Sequence, residues 1–453
     1  MISKKNFILK FNQYFDKLWP LNRSLTGSGS RKTHKILSEI IPLKTHEIKS
    51  GKKVNDWIIP QEWNVKNAYI MNTRGEKIID FMNNNLHLVG YSKSFSGYIS
   101  KKKLKKKLFY LKDAPNAIPY RTSYYKKDWG FCLSFNQYKK LIDDKYYVKI
   151  DTTLKKGSMT WSEFYLPGII KKEILIHTYT CHPSLAINEL SGPIITALLA
   201  NEISKVKKRY YSFRFIFAPE TIGSIAYLHM KGAKLKKNLL AGFVCNSVGY
   251  KKYITYKKSK NSKNLGDIAA IKILKKLKNM KTKILDFEPT GSDERQYCSI
   301  GYNLPVGVVL SKPYYNYPEY HTSLDNKKIL NFENLFNLMK IFLRIFQEIK
   351  NIENKNFKNI SINQKNRVSK KKNEIYPLNL ITLGEPYLSK YKIHYKTIKA
   401  HAGPDKLTLA LKWLVHYSDG KNSLKDISVK SKINLNILTK AFKILKKAKI
   451  FKQ

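Results

Sequence analysis

Residues 173–204, EILIHTYTCHPSLAINELSGPIITALLANEIS, decide how this chain folds. The first eight residues, EILIHTYT, form a compact apolar run that predicts a buried strand. From residue 191 onward the apolar residues recur at helical spacing, and Pro193 stands in the first turn, where proline is tolerated. These helix-spaced residues are Ile194, Ile195, Leu198, Leu199 and Ile203. The stretch therefore predicts a strand followed by a helix.

The same alternation extends outward over residues 170–350. Apolar runs at residues 211–218, 241–248 and 305–311 predict further strands, and the segments between them are helical in pattern. A long amphipathic helix closes the block. Strands separated by helices imply a largely parallel sheet that is covered on both faces. We therefore predict an α/β fold built on a mostly parallel, doubly wound sheet.

Changes in composition divide the rest of the chain. Residues 55–150 contain short aromatic strands punctuated by proline and glycine, which predict a small inserted β-rich domain. Residues 353–377 are polar and charged, as is typical of a linker. Residues 378–453 contain three amphipathic segments with helix-turn-helix-like spacing. Residues 1–54 and 151–352 then form the α/β core.

The charge of the chain is its strongest compositional signal. The 453 residues include 85 Lys and Arg against 32 Asp and Glu, a net charge of +53. Such a charge suggests nucleic acid or another anionic partner. However, only nine of these cations are arginine, the residue whose planar fork suits bases and phosphates, and the lysines are spread along the chain. We therefore favour solvated surface lysines over nucleic-acid binding.

Several other classes of protein are disfavoured by the sequence. The four cysteines, at positions 132, 181, 245 and 298, form no CxxC pair, which argues against a disulfide framework or a zinc ribbon. We expect them to be buried and reduced. No apolar stretch approaches the roughly 18 residues of a membrane span. The first residues lack an apolar signal core and a cleavage site. We therefore expect a cytoplasmic protein with no membrane partner.

Two histidines and two carboxylates follow the predicted strands. His182 follows the strand in EILIHTYT, and Glu220 follows the next strand in the chain. Asp293 lies in the loop TGSDER, and His321 lies in the loop YPEYHTSLD. Ligands of open α/β sheets collect beyond the carboxyl ends of the strands, and zinc accepts nitrogen and oxygen ligands of these types. The sequence therefore predicts a zinc site at this edge of the sheet.

Four motifs resemble those of a known family: CHPSLAINELSG, APETIGS, GSDERQYCSIG and PEYHTSLDN. Together they are similar to the motifs of aminopeptidase-like zinc hydrolases of the co-catalytic type. They resemble more closely a bacterial subfamily that adds an inserted β-rich domain and a C-terminal winged helix to such a core. The resemblance covers nearly the whole chain. It implies a zinc-exopeptidase-like core, a winged-helix-like tail, and hydrolysis of a peptide or related amide bond with one or two zinc ions.

The resemblance also implies roles for individual residues. His182, Asp293 and His321 match metal ligands, and Asn188 stands at the position of the aspartate that bridges two metal ions. Glu220 matches a glutamate that serves as a ligand or as the general base. The residues implied to contact substrate are Arg295, Gln296, Tyr297 and Tyr320.

Three positions depart from the family pattern. Asn188 offers a neutral amide oxygen where a carboxylate would hold two cations together, so the second metal site should be weakened. The adjacent Glu189 is expected to project elsewhere. Pro219 and Glu220 replace a pair of glutamates, which leaves one carboxylate for the roles of base and ligand. Ser184 stands where these enzymes often have an aspartate that orients the histidine.

We predict a metal-dependent, aminopeptidase-like hydrolase in which Glu220 takes a proton from an activated water. The expected partner is a peptide or an amide-containing small molecule, and we expect a homo-oligomer. Two alternatives stay open. One is a catalytically impaired binding protein on the same fold, linked to surface polysaccharide biosynthesis. The other is a DNA-binding regulator that places the third helix of the tail in a major groove.

Overall fold

The computed structural model describes residues 1–354, 374–394 and 403–453. Its largest element is a mixed sheet of eight strands. In spatial order these strands are Lys44–Lys49, Ser158–Leu166, Ser212–Ala218, Glu173–Tyr179, Leu239–Cys245, Val306–Leu310, Tyr253–Lys257 and Lys281–Leu285.

The centre of this sheet is parallel. Glu173–Tyr179 pairs in parallel with Ser212–Ala218 on one side and with Leu239–Cys245 on the other, and Val306–Leu310 continues the parallel run. Every residue of Glu173–Tyr179 is buried, as a strand covered on both faces requires. The next strand on each side runs antiparallel to this centre. The predicted α/β fold is confirmed, and the antiparallel flanks make the complete sheet mixed.

Helices cover both faces of the sheet. Ile174 and Ile176 pack into a cluster with the first and last core helices, whereas Leu175 packs into a second cluster on the opposite face. The strand alternates its side chains between the two faces, so one apolar run supplies both clusters. The core helices are Lys4–Leu18, Ser28–Leu37, Ser191–Ser204, Ile222–Asn238, Leu265–Lys275, Glu294–Tyr297 and Phe332–Asn354, with a π-helical turn at Ala186–Leu190 and a 3₁₀ turn at Lys327–Ile329.

The inserted domain is built on a smaller antiparallel sheet. Its four strands are, in spatial order, Lys77–Asp80, Glu62–Met71, Lys145–Lys155 and Phe95–Ser100. The boundary predicted at residue 150 falls within the last of these strands in the chain. The remaining elements are two short strand pairs, two short helices and a 3₁₀ turn: Lys53–Val54 with Trp57–Ile58, Leu108–Phe109 with Phe131–Cys132, Lys101–Lys105, Phe135–Lys139 and Asn85–His87.

The tail is a compact three-helix unit. Its helices are Lys406–Tyr417, Leu424–Ser431 and Leu435–Lys447, after a 3₁₀ turn at Leu388–Tyr391. The short strands Leu378–Asn379 and Phe451–Lys452 pair antiparallel. The helices enclose their own apolar cluster, which includes Trp413, Leu414 and Phe442. Residues 355–373, most of the predicted linker, lie outside the described residues.

Two further expectations concern the whole chain. All four cysteines are buried and unpaired. Within the described ranges, no helix combines the length and the apolar character needed to cross a membrane.

Candidate active site

The predicted site residues lie at the carboxyl edge of the parallel strands. His182 follows Glu173–Tyr179, and Glu220 follows Ser212–Ala218, its parallel neighbour. Several non-glycine residues in the loops at this edge have left-handed φ angles, a strained backbone conformation. These residues are Ser184 (44°), Thr221 (64°), Ser247 (50°), Tyr315 (66°) and His321 (53°). Strain of this kind persists only where surrounding contacts enforce it, and it is typical of functional sites.

The imidazole of His182 uses its two nitrogens in opposite directions. Nδ1 lies 2.9 Å from Glu189 Oε2, and Nε2 lies 3.8 Å from Glu220 Oε2. The backbone carbonyl of His182 accepts a hydrogen bond of 2.9 Å from Nε of the buried Arg23. Glu189 therefore fixes the orientation of the ring, and Nε2 is presented toward Glu220.

The position of Glu189 corrects a prediction. The expectation that Glu189 projects elsewhere is wrong, because the π-helical turn Ala186–Leu190 brings its carboxylate to His182. Ser184, at the position where an orienting aspartate is usual, instead donates a hydrogen bond of 3.1 Å to the backbone carbonyl of Trp19. Glu189 is thus the carboxylate that orients the histidine.

Cys181 belongs to the same buried group. Among the residues that the structure describes, Cys181, His182 and Glu189 are the one set of three His, Cys, Asp or Glu side chains whose ligand atoms all lie within 4.8 Å of one another. The Cys181 Sγ accepts a hydrogen bond of 3.2 Å from the backbone N–H of Glu220. Burial raises the pKa of the Cys181 thiol to about 11. The protonated thiol therefore connects two loops and is a poor nucleophile at neutral pH.

Glu220 is the titratable group at the centre of the site. One quarter of its side chain is exposed, so it lines a surface that solvent reaches. Burial of the rest raises the pKa of Glu220 to about 7; His182 and Arg295 favour the charged form, whereas Asp293 opposes it. A carboxyl group with such a pKa can accept and return a proton near neutral pH.

Asp293 is held by three hydrogen-bond donors. Its Oδ1 accepts bonds of 2.7 Å from the backbone N–H of Thr221 and from Ser224 Oγ, and its Oδ2 lies 3.0 Å from His177 Nε2. Burial acts to raise the pKa of Asp293, but His177, Ser224 and Thr221 together lower it. Asp293 is therefore a buried carboxylate with a fixed orientation, and it is hydrogen-bonded to Thr221, the residue that follows Glu220.

His177 is a site residue that the sequence analysis missed. Its Nε2 faces the Asp293 carboxylate, and its Nδ1 lies 3.0 Å from the hydroxyl of Tyr297. Because a carboxylate only accepts, Nε2 carries the proton and Nδ1 accepts from Tyr297. The available signal was a single histidine inside the otherwise apolar run EILIHTYT.

The aromatic wall of the site comes partly from the inserted domain. The ring of Tyr120 lies 5.1 Å from the ring of His182 and 5.2 Å from that of His321. The two imidazoles are 5.6 Å apart, so the structure brings His182 and His321 together. Tyr320, predicted to contact substrate, stacks on His321 at 4.0 Å. Tyr320 thus positions the His321 ring, a role that the motif alone did not indicate.

The side-chain oxygen of Asn188 has no hydrogen-bond partner in the described structure. The backbone N–H of Asn188 donates to Asp325 Oδ2 at 2.9 Å, and its Nδ2 donates to the hydroxyl of Tyr179 at 3.2 Å. The Oδ1 atom itself is buried. A buried carbonyl oxygen without a donor is costly and suits a cation ligand. Asn188 is therefore compatible with the metal-ligand role predicted for it.

Arg295, Gln296 and Tyr297 contact other residues of this chain. Arg295 Nη2 donates to Thr221 Oγ1 at 2.8 Å, and Arg295 Nε lies 3.1 Å from Glu385 Oε2. Gln296 Oε1 accepts the backbone N–H of Glu385 at 2.9 Å. Tyr297 is fully buried against His177. Arg295 and Gln296 thus join the site to the tail, and their predicted contact with substrate stays a prediction.

Comparisons with known proteins agree with this architecture. A sequence profile of a domain of unknown function, DUF4910, matches residues 12–354, and a winged helix-turn-helix profile matches residues 376–453. The chain belongs to the DUF4910 family. The predicted winged-helix tail and the predicted aminopeptidase-like resemblance are both confirmed.

Two Clostridium acetobutylicum matches extend over almost the whole of this family member. One, named as a candidate polysaccharide biosynthesis protein with an aminopeptidase-like domain, is 40% identical over 416 residues, or 92% of this chain and 90% of its own length. The other is a crystal structure described as a candidate peptidase, with 38% identity, a TM-score of 0.74, and coverage of 99% of this chain and 97% of its own.

A more distant structure shows the fold alone. BSAP, a zinc aminopeptidase from Bacillus subtilis, is 11% identical and has a TM-score of 0.55. The alignment covers 77% of this chain and 95% of that protein. The DUF4910 chain therefore combines an aminopeptidase-like core with additional residues, among them the winged-helix tail.

Proposed function

We propose that this protein is a metal-dependent hydrolase of a peptide or related amide bond. The observation that carries the proposal is the meeting of His182 Nε2 and Glu220 Oε2, 3.8 Å apart, at the carboxyl edge of the central strands. Two ligands of one tetrahedral zinc ion lie roughly 3.3 Å apart at usual bond lengths. The observed separation is close to that value. Open α/β sheets bind their ligands at this edge.

The donor set fits a zinc ion in part. His182 Nε2, an imidazole nitrogen of His321 and a carboxylate oxygen of Glu220 would hold it, and the unsatisfied Asn188 Oδ1 would add a neutral oxygen. Both oxygens of Asp293 already accept hydrogen bonds from Thr221, Ser224 and His177, so Asp293 would hold the ion only in exchange for one of these donors. Among the described residues, no three of His182, Glu220, Asp293 and His321 have ligand atoms within 4.8 Å of one another, so these side chains would have to close around the ion. When bound, zinc supplies the positive charge that polarises a carbonyl group and acidifies water. With Asn188 in place of a carboxylate, we infer that a second ion would be held weakly.

Glu220 is the one carboxylate left for the roles of ligand and base, since residue 219 is proline, and this proposal assigns both roles to it. Its carboxylate is partly exposed, and its pKa of about 7 lets it take a proton from water and return it to the leaving amine. The loop that carries Glu220 is fixed from both sides. Cys181 holds its backbone N–H, and the adjacent Thr221 is held by Asp293 and Arg295. This fixation keeps the carboxylate opposite His182 Nε2.

The biological setting is part of the same proposal. The name of the 40% identical relative joins polysaccharide biosynthesis with an aminopeptidase-like domain. We infer that this chain serves the same process, in the cytoplasm, with an amide-containing small molecule as its substrate. The expected homo-oligomer stays a prediction.

Metal content and turnover test the proposal together. Mass spectrometry of the purified protein should find at least one zinc ion per chain. Aminoacyl-nitroanilides with added Zn²⁺ or Co²⁺ should be hydrolysed, and Glu220→Gln should lower kcat by about 10²–10⁴-fold. Glu76→Gln, on an exposed loop of the inserted domain, is the matched control and should leave kcat unchanged. Equal activity of wild type and Glu220→Gln would disprove the role of Glu220.

The same measurement on Asn188→Asp tests the second metal position. A restored carboxylate should raise occupancy of a second ion, because it shares negative charge between two cations. An unchanged metal stoichiometry would count against the placement of Asn188 at the metal site.

The neutral Asn188 and the single glutamate at residues 219–220 favour one second candidate, a binding protein on the same fold. Such a protein would bind zinc and an amide ligand without turnover. Stoichiometric zinc together with no hydrolysis of any substrate in the panel would support this candidate over the hydrolase.

A further inference from the structure

A cleft of about 850 Å³ lies between the inserted domain and the segment that leads into the tail. Its walls come from parts of the chain that are more than 250 residues apart in sequence. Aromatic rings dominate the lining: Trp57, Phe109, Tyr124, Tyr125, Trp129 and Tyr387. The size lies in the range of sites for small ligands.

The rings of Trp57, Tyr125 and Tyr387 form the floor of the cleft, and Tyr387 is tilted relative to the other two. The ring of Tyr387 lies 4.7 Å from that of Trp57 and 4.8 Å from that of Tyr125. The polar atoms of two of these rings are used within the protein, because Trp57 Nε1 donates to the carbonyl of Glu385 and the Tyr125 hydroxyl donates to the carbonyl of Ile58, both at 2.8 Å. The half-buried rings can therefore offer their apolar faces to the cleft rather than their polar edges.

The rim of the cleft is polar and carries both signs of charge. Arg121 is exposed, and its guanidinium lies 4.5 Å from the centre of the Phe109 ring. Asp128 pairs with Lys126 at 3.3 Å. Thr122, Ser123 and Ser389 also line the cleft, and the hydroxyls of Thr122 and Ser123 donate to the backbone carbonyl of Gly90 at 3.4 and 3.2 Å. The rim can thus donate and accept hydrogen bonds around a ligand seated on the aromatic floor.

The cleft is close to the candidate active site. The hydroxyl of Tyr124, in its wall, lies 3.4 Å from the hydroxyl of Tyr120, whose ring is 5.1 Å from that of His182. Glu385, also in its wall, pairs with Arg295, which holds Thr221. One layer of side chains therefore separates the cleft from His182 on one side and from the Glu220 loop on the other.

We propose that this cleft binds a saccharide ring, as the part of the substrate that lies beyond the amide. A pyranose has an apolar face of C–H groups, which matches the ring faces of the floor, and an edge of hydroxyl groups, which matches the mixed rim. An apolar peptide side chain would leave the rim unused. The position of the saccharide relative to the amide rests on the proposed function, whereas the binding itself does not.

Ligand binding tests this site with the full-length protein. The probes are chitotriose, maltotriose and a trimer of galacturonic acid, titrated by calorimetry and by ligand-observed NMR. Wild type should bind at least one of them, and Tyr387→Leu should weaken that binding by about tenfold because the ring face is lost. Tyr387→Phe keeps the ring and should bind as wild type does. Arg121→Gln, which changes an exposed side chain and spares the fold, should weaken binding by about threefold.

Two controls separate the outcomes. Tyr98→Leu removes an aromatic ring that is 70% exposed on an outer strand of the inserted domain, and it should leave saccharide binding unchanged. Glu220→Gln should also bind normally, so loss of hydrolysis with intact binding supports both proposals. Binding of none of the three probes at about 10 mM, or binding that survives both Tyr387→Leu and Arg121→Gln, would overturn the saccharide site. Tight binding of a phenylalanine dipeptide amide in their place would do the same. In each of these cases the hydrolase could still stand, since it is judged by Glu220→Gln.

Discussion

The two faces of the winged-helix domain differ in how they use charge. On the inner face, Glu385 and Arg295 form a buried pair at 3.1 Å, with side chains 5% and 9% exposed, and His416 Nε2 lies 3.1 Å from the carbonyl of Arg295. On the outer face, the helix Leu435–Lys447 exposes Lys440, Lys443, Lys446 and Lys447. In the described part of the chain, no acidic side chain forms an ion pair with these four lysines.

The chain has a net charge of +53, and the comparison shows that its buried, paired charges indicate function better than its exposed lysines do. An exposed, solvated lysine changes the free energy of folding very little, so a lysine-rich helix surface is weak evidence for a function. Burying an ion pair removes two charges from water and is costly unless the geometry is good. The inner pair, which also holds Thr221 beside Glu220, therefore indicates that the tail belongs to the candidate active site.

The largest effect on stability is expected at the Glu385–Arg295 pair of the inner face. Glu385→Ala removes the carboxylate that lies 3.1 Å from the buried Arg295 guanidinium, and we expect it to lower the free energy of unfolding by about 3–5 kcal/mol in urea. Lys446→Ala on the outer helix is the matched control and should change it by less than about 0.5 kcal/mol. Similar values for the two variants would remove the distinction between the faces.

A pH-dependent effect is expected at His416. Burial lowers the pKa of His416 to about 4; Lys260 and Arg295 lower it further, whereas Glu385 and the carbonyl of Lys412 oppose the shift. Because the folded pKa lies below the unfolded value of about 6.5, the unfolded chain takes up the proton first. Stability should therefore fall as the pH drops from about 6.5 to 4, by at most about 3 kcal/mol from this residue.

The variant His416→Gln isolates this contribution, since the amide group of a glutamine at this position can still donate to the Arg295 carbonyl and does not titrate. Urea unfolding at pH 7 and pH 4.5 should show a smaller loss of stability for the variant than for wild type. Identical pH dependence in both proteins would show that His416 is not buried in its neutral form.

The smallest effect is expected on the outer helix. Replacement of Lys440, Lys443, Lys446 and Lys447 by glutamine should leave hydrolysis and unfolding within about 0.5 kcal/mol of wild type. Duplex DNA binding by wild type should be weak, without sequence preference, and lost at moderate salt. Sequence-selective binding that persists at about 200 mM salt and disappears in the variant would instead support the DNA-binding regulator.

The residues of the site were predictable in part. His182, Glu220, Asp293 and His321 stand at strand ends in the sequence, and the structure places His182 against Glu220 and near His321. The orienting role of Glu189 was not predictable, because it depends on a π-helical turn that shifts the side-chain directions of an ordinary helix start. The contact of His177 with Asp293 was also hidden, since the two residues are 116 positions apart.

The sequence by itself determined the α/β core, because apolar periodicity records which faces of each strand and helix must leave water. It also determined the type of chemistry at the strand ends, since residue identity sets which atoms can bind a metal or move a proton. Only the tertiary structure decided which domains share the site. Tyr120 of the inserted domain and Glu385 of the tail reach it through packing between distant segments, and no local pattern encodes such contacts.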